Sequence, residues 1–170
     1  ISSGAVIDLD AAMAIHLNGD AAFQNDGGTV RLAAQDIQHG GSIVARGGEV
    51  ELAAKGELTL SGVVDVSDTN TGGHGGSVRL FAEEIQLAGT ARIDASGDAG
   101  GGSVWIGASP AGADPPISNA LDTRVESGAR ISAHAVSSGN GGAVVLWADQ
   151  TLAFHGEIQV HGGSLAGTGG

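Results

Sequence analysis

The stretch GGSVRLFAEEIQLAGTARIDASGDAGGGSVWIGA, Gly75 to Ala108, states nearly the same phrase twice, each time opening on Gly-Ser-Val and reaching Ala through alternating apolar positions. Aligning on that phrase brings out one pattern along the chain: an apolar residue, any residue, Leu or Ile, any residue, then Ala. It occurs at Ile7/Leu9/Ala11, Val30/Leu32/Ala34, Val50/Leu52/Ala54, Val78/Leu80/Ala82, Val104/Ile106/Ala108 and Val144/Leu146/Ala148. Period-2 alternation buries one face, so each copy reads as a strand with its apolar residues inward. The small third residue predicts a narrow corner.

A second short apolar strand follows most copies, at Ile15-His16-Leu17, Leu58-Thr59-Leu60, Ile85-Gln86-Leu87 and Leu152-Ala153-Phe154. A third follows at Ile43-Val44-Ala45, Val64-Asp65-Val66, Ile93-Asp94-Ala95, Ile131-Ser132-Ala133 and Ile158-Gln159-Val160, and then a Gly-rich turn. Successive starts lie 20 to 40 residues apart, with no helical periodicity between them. Stacked circuits pair equivalent strands in parallel about 4.8 Å apart, and parallel crossovers favour right-handed coiling. The expectation is an all-β, right-handed parallel β-helix of about six to seven rungs, spanning residues 1–170 as a single segment. Glycines serve its corners, where successive rungs approach closely.

The positions between the first two inward residues are independent of that register: Asp8, Arg31, Glu51, Arg79, Trp105 and Val145. Stacked, they alternate in sign and then place an arginine beside an aromatic. Such pairs contribute about 0.2 to 1 kcal/mol each and fix register more than stability. Residues 107–127, GASPAGADPPISNALDTRVES, hold all three prolines and are expected to leave the ladder as a loop, returning near Val125.

Composition bounds the function. Glycine is abundant at 31 residues, yet 41% of the chain is apolar, enough for a core built from Val, Ile, Leu and Ala. A formal charge of -12 would repel phosphates, which argues against nucleic acid and anionic membrane surfaces as partners. No run approaches the roughly 20 apolar residues of a membrane span, so no membrane insertion is expected. There is no cysteine to form a disulfide or a thiolate metal site. The chain begins without Met and ends mid-pattern at Gly169-Gly170, as a piece of a longer array with further β-helix rungs at both ends would.

The chemistry-bearing candidates are few. Asp65, Asp68, Asp94 and Asp98 recur after the third strand, and Asp65 and Asp94 share one outward position a circuit apart. Paired carboxylates can serve a hydrolase or hold calcium, but a solvated column beside acidic turns is the simpler reading. The turns DTNTGGHGG and SGDAGGG lack the tandem spacing of calcium-binding nonapeptides. Calcium is therefore the single cofactor considered, in a structural role, and otherwise none. The six histidines, His16, His39, His74, His134, His155 and His161, read as surface residues, with His134 and His161 expected to be neighbours. Trp105 and Trp147 should face outward, where indoles stack on sugar rings, and Phe81 shares the column of Trp147. The proline-bearing excursion is expected to cover part of that apolar surface. No nucleophile elbow or phosphate-binding loop is found, so an enzyme is not expected.

The segments GGGSVWIGA (100–108), SNALDTRVESGARISA (118–133) and SGNGGAVVLWADQTLAFHGEIQVHGGSLAGTGG (138–170) resemble the repeats of filamentous-haemagglutinin-like exoproteins, the secreted partners of two-partner secretion systems. The resemblance implies a β-helical rod exported by an outer-membrane transporter to the surface or surroundings of a Gram-negative bacterium. It implies adhesion or biofilm-matrix binding, with a polysaccharide or host-surface receptor as partner. Some relatives capture haem or carry toxins on the same kind of stalk, and a polysaccharide-cleaving β-helix enzyme is the remaining class. Absence of cysteine suits a chain threaded unfolded through a pore. The matching positions are structural, so the resemblance assigns no catalytic residue.

Overall fold

The computed structural model describes residues 4–108 and 119–170. Among them are eighteen short strands and no helix, arranged as three six-stranded parallel sheets. The first sheet contains β1 (Val6–Asp10), β4 (Thr29–Ala34), β7 (Glu49–Ala54), β10 (Ser77–Phe81), β13 (Ser103–Ile106) and β16 (Ala143–Leu146). The second contains β2 (Ala14–Leu17), β5 (Asp36–His39), β8 (Glu57–Leu60), β11 (Glu84–Leu87), β14 (Asp122–Val125) and β17 (Thr151–Phe154). The third contains β3 (Ala22–Gln24), β6 (Ser42–Val44), β9 (Val63–Asp65), β12 (Arg92–Asp94), β15 (Arg130–Ser132) and β18 (Glu157–Gln159). One strand from each sheet makes a rung, and six rungs stack into a parallel β-helix.

Register follows the sequence pattern. Ile7, Val30, Val50, Val78, Val104 and Val144 form one continuous inward column, and Leu9, Leu32, Leu52, Leu80, Ile106 and Leu146 the next. Those of the four middle rungs are fully buried. Each such side chain contributes about 1.5 to 3 kcal/mol by leaving water. The outward column Asp8–Arg31–Glu51–Arg79–Trp105–Val145 also stacks as expected. Arg31 pairs with Glu51 at 3.0 Å and approaches Asp8 at 3.9 Å, and Arg79 pairs with Glu49 and Glu51. The arginine expected beside Trp105 is thus held by carboxylates, and no cation–π contact is found among the described residues.

Three strands escaped the sequence pattern. β5 and β14 carry polar residues inward, His39 and Thr123, which break the apolar alternation. β3 offers one inward apolar residue, Phe23. The position of β14 narrows the excursion expected over 107–127, because Asp122–Val125 pairs with β11 and β17 inside the ladder. Its base is pinned where the Ala120 N–H donates to the Gly107 carbonyl at 2.8 Å. The prolines lie outside the described residues.

A glycine column marks the corner between the third and first sheets. A Cβ on Gly48 would lie 2.2 Å from the Gly28 carbonyl oxygen, and one on Gly76 would lie 2.1 Å from that of Gly48. Gly102 and Gly142 repeat the approach. Only a hydrogen fits there, so successive rungs can come together at the corner at no steric cost.

Candidate functional site

The carboxylates singled out from the sequence lie where the third sheet gives way to the Gly-rich turns. Asp65 and Asp94 are direct neighbours on β9 and β12. Each is committed to its own turn. Asp65 Oδ1 accepts the Ser67 N–H at 2.9 Å and the Ser67 hydroxyl at 2.6 Å, and Asp94 Oδ1 accepts the Ser96 N–H at 2.9 Å. This is the local side-chain-to-backbone bonding by which Asp organises turns.

Asp68 and Asp98 sit one step further along. Asp68 Oδ1 accepts from the Asn70 backbone N–H at 3.2 Å and side-chain amide at 2.8 Å. Asp98 joins three rungs: it accepts the Ser137 hydroxyl on one side and the Gly72 N–H at 2.8 Å on the other. The hydroxyl of Ser137, and then the amide of Gly72, hold its carboxyl below the ordinary value of 3.8. All four aspartates thus have hydrogen-bonding partners inside the fold. Among the described residues no three His, Asp or Glu side chains gather as a metal site.

The turns that these aspartates organise form a layer of their own. Bridges connect Asp68 to Gly97, Gly97 to Ala135, His74 to Gly100 and Ser138 to Ala166. Residues 67–75, 96–101, 134–141 and 161–169 therefore stack as arms beside the three-sheet body. The expected His134–His161 contact is present, with parallel rings 4.6 Å apart, and His134 Nδ1 meets the Ser96 hydroxyl at 3.0 Å.

The aromatic candidates separate. Trp147 is about half exposed, and its indole N–H donates to Asp149 Oδ1 at 2.7 Å, which presents the ring at the surface. Trp105 is partly covered on the outer face of the first sheet. Phe81 corrects the expectation of an outward ligand contact: it is 2% exposed, though it lies outside the apolar lumen cluster. Its strand neighbour is the small Ala53. A buried ring offers no face to a ligand.

Two of the surface depressions among the described residues bear on function. A shallow trough of about 870 Å³ follows the glycine corner, with Thr29, Glu49, Ser77 and Ser103 along one wall. The other, about 380 Å³, lies on the second sheet among Glu57, Glu84, Gln86, Asp122, Arg124 and Thr151. Its carboxylates are in register on three successive rungs. The sequence pattern hides this acidic column, because the inward Thr123 breaks the apolar alternation of β14. Aligning Val125-Glu126-Ser127-Gly128 with Leu87-Ala88-Gly89 would have found it.

His39 is the other correction. Expected at the surface, it is 1% exposed and faces the lumen in the column of Leu17 and Leu60. Its Nε2 lies 3.1 Å from the Val63 carbonyl oxygen, while Nδ1 is buried without a partner. Alignment on His39-Gly40-Gly41 against Leu60-Ser61-Gly62 places it correctly.

No protein-family model matches this chain, and no curated protein matches it.

Proposed function

We propose that the chain is a non-catalytic rod segment of a secreted exoprotein of the filamentous-haemagglutinin type, extending and displaying surfaces for attachment to a polysaccharide or host receptor. The supporting observation is how the outward charges are used. The Asp8–Arg31–Glu51–Arg79 ladder pairs with itself along the axis, and the four turn aspartates bind their own turns. The carboxylates of that ladder and of the arms are thereby engaged within the fold, and the exposed Trp147 offers a flat apolar face for a sugar ring.

A calcium role for Asp65, Asp68, Asp94 and Asp98 is the part of this reading that chelation tests directly. Export by a dedicated outer-membrane transporter belongs to the same reading, and an acidic chain without cysteine suits it. The experiment is retention of the purified chain on immobilised neutral and anionic polysaccharides, with assay for new reducing or unsaturated ends. The expected result is retention without cleavage, weakened about tenfold in Trp105→Ala/Trp147→Ala, which corresponds to ~1.4 kcal/mol. Retention on no polysaccharide or host-surface preparation would remove the attachment role. Cleavage lost in Asp65→Asn or Asp94→Asn would make the protein an enzyme.

A further inference from the structure

We propose that His39 is an acid sensor built into the lumen, whose protonation loosens the second and third rungs of the β-helix while the later rungs hold. The argument starts from hydrogen bonding. A carbonyl can only accept, so the 3.1 Å contact with the Val63 oxygen assigns the ring proton to Nε2 and leaves Nδ1 as a bare acceptor. Nδ1 is buried with no partner, so a second proton there would be a buried charge whose new N–H has no acceptor.

The surroundings offer no compensation. Along the column His39 meets Leu17 on β2 and Leu60 on β8, and across the corner it meets the backbone of β9. The titratable side chains of its own and neighbouring strands, His16, Asp36, Glu57 and Asp65, occupy the alternate, outer face. Among the described residues His39 is the one ionisable group in the buried set. Burial in the apolar lumen therefore lowers its pKa from 6.5, and the bond to Val63 offsets this in part.

The sign follows. Above pH 6.5 the ring is neutral in both folded and unfolded chains and costs nothing. As pH falls below 6.5 the unfolded chain takes up the proton first, and stability is lost until the folded-state pKa is reached. To accept the proton in water the ring must leave the lumen and release the Val63 carbonyl, which removes the side-chain tie between β5 and β9. No other rung contains such a residue among the described side chains, so the loosening is local.

The test is amide hydrogen exchange of the 170-residue chain at pH 7.5 and 5.5, corrected for intrinsic rates. Protection across 29–66 is expected to fall, by up to about tenfold for one pH unit below the unfolded-state pKa, while 78–160 keeps its protection. His39→Leu, which continues the Leu17–Leu60 column, is expected to abolish the difference. An acid response that persists in His39→Leu, or one spread evenly over all six rungs, overturns the proposal. Should that variant fail to fold, NMR titration of the wild-type ring decides: titration at or above pH 6.5 overturns it, and titration below pH 6.5 supports it.

Discussion

The two halves of the molecule turn the same corner in different ways. In the second rung, Ala45 to Gly48 closes directly, with the Gly48 N–H donating to the Ala45 carbonyl at 2.8 Å. In later rungs the equivalent bonds, Gly76 to Val66, Gly102 to Ala95 and Gly142 to Ala133, measure 2.8, 2.7 and 2.6 Å, yet they enclose whole arms. One amide–carbonyl pair and a glycine fix the corner whatever chain lies between. The arm is therefore an insertion within a constant frame, and the frame and the arms are stabilised separately. The frame depends on apolar columns and close backbone approach, and the arms on Asp98, Asp68 and backbone bridges between successive turns.

That separation fails first if the lumen is not shared equally by both halves. Leu52→Ala and Leu80→Ala each remove a fully buried side chain from the same column, one in the rung that follows the tight corner and one in the rung that follows the first arm. Both are expected to lose about 2 to 5 kcal/mol, measured by denaturant unfolding. A loss in one half alone would mean that the frame is not continuous. Leu152→Ala, in the end rung and nearly half exposed, should lose much less.

Corner glycines sharpen the contrast at intermediate size. Gly48→Ala puts a methyl 2.2 Å from the Gly28 oxygen in the frame, whereas an added methyl on Gly72, in an arm, meets nothing within 4 Å. Backbone displacement at Gly48 is expected to cost about 1 to 3 kcal/mol. At Gly72 the left-handed backbone, φ 78°, leaves a conformational penalty of about 1 kcal/mol, and the arm is free to relax it. Thermal unfolding of the two variants measures the difference. Equal losses would mean that the arms are as tightly constrained as the frame.

How much of this was legible follows the same division. The columns are repeated in the sequence, so Val78 and Leu80 announced their neighbours and even Arg31–Glu51 stacked as expected. Where an inward position is polar, the pattern is silent. Thr123 can face the lumen because its hydroxyl donates to the Trp147 carbonyl at 2.8 Å, a partner that only the folded chain supplies. Phe81 shows the limit from the other side: alternation tells which way a side chain leaves the strand, and not whether anything covers it. Arg79 had two kinds of neighbour in reach, and the carboxylates of Glu49 and Glu51 took it in preference to the indole. The sequence shows the arm aspartates but not their partners, because Asp98 bonds to two other arms, at Gly72 and Ser137.

Asp98 gives the smallest and most local effect. Its carboxyl is lowered by the Ser137 hydroxyl first and the Gly72 amide second, so the charged form is the one that holds the arms. The contribution is fully present above the ordinary value of 3.8 and disappears as pH falls through the lower folded-state value. Asp98→Asn should therefore loosen the arms at neutral pH, seen as faster exchange of the Gly72 amide, with little change in global unfolding. Its pH dependence lies below 3.8, well separated from the acid response expected of His39 below 6.5. Two acid steps in two halves are the expected outcome. A single step at which the first rungs and the arms open together would show that corner and arm are one cooperative unit after all.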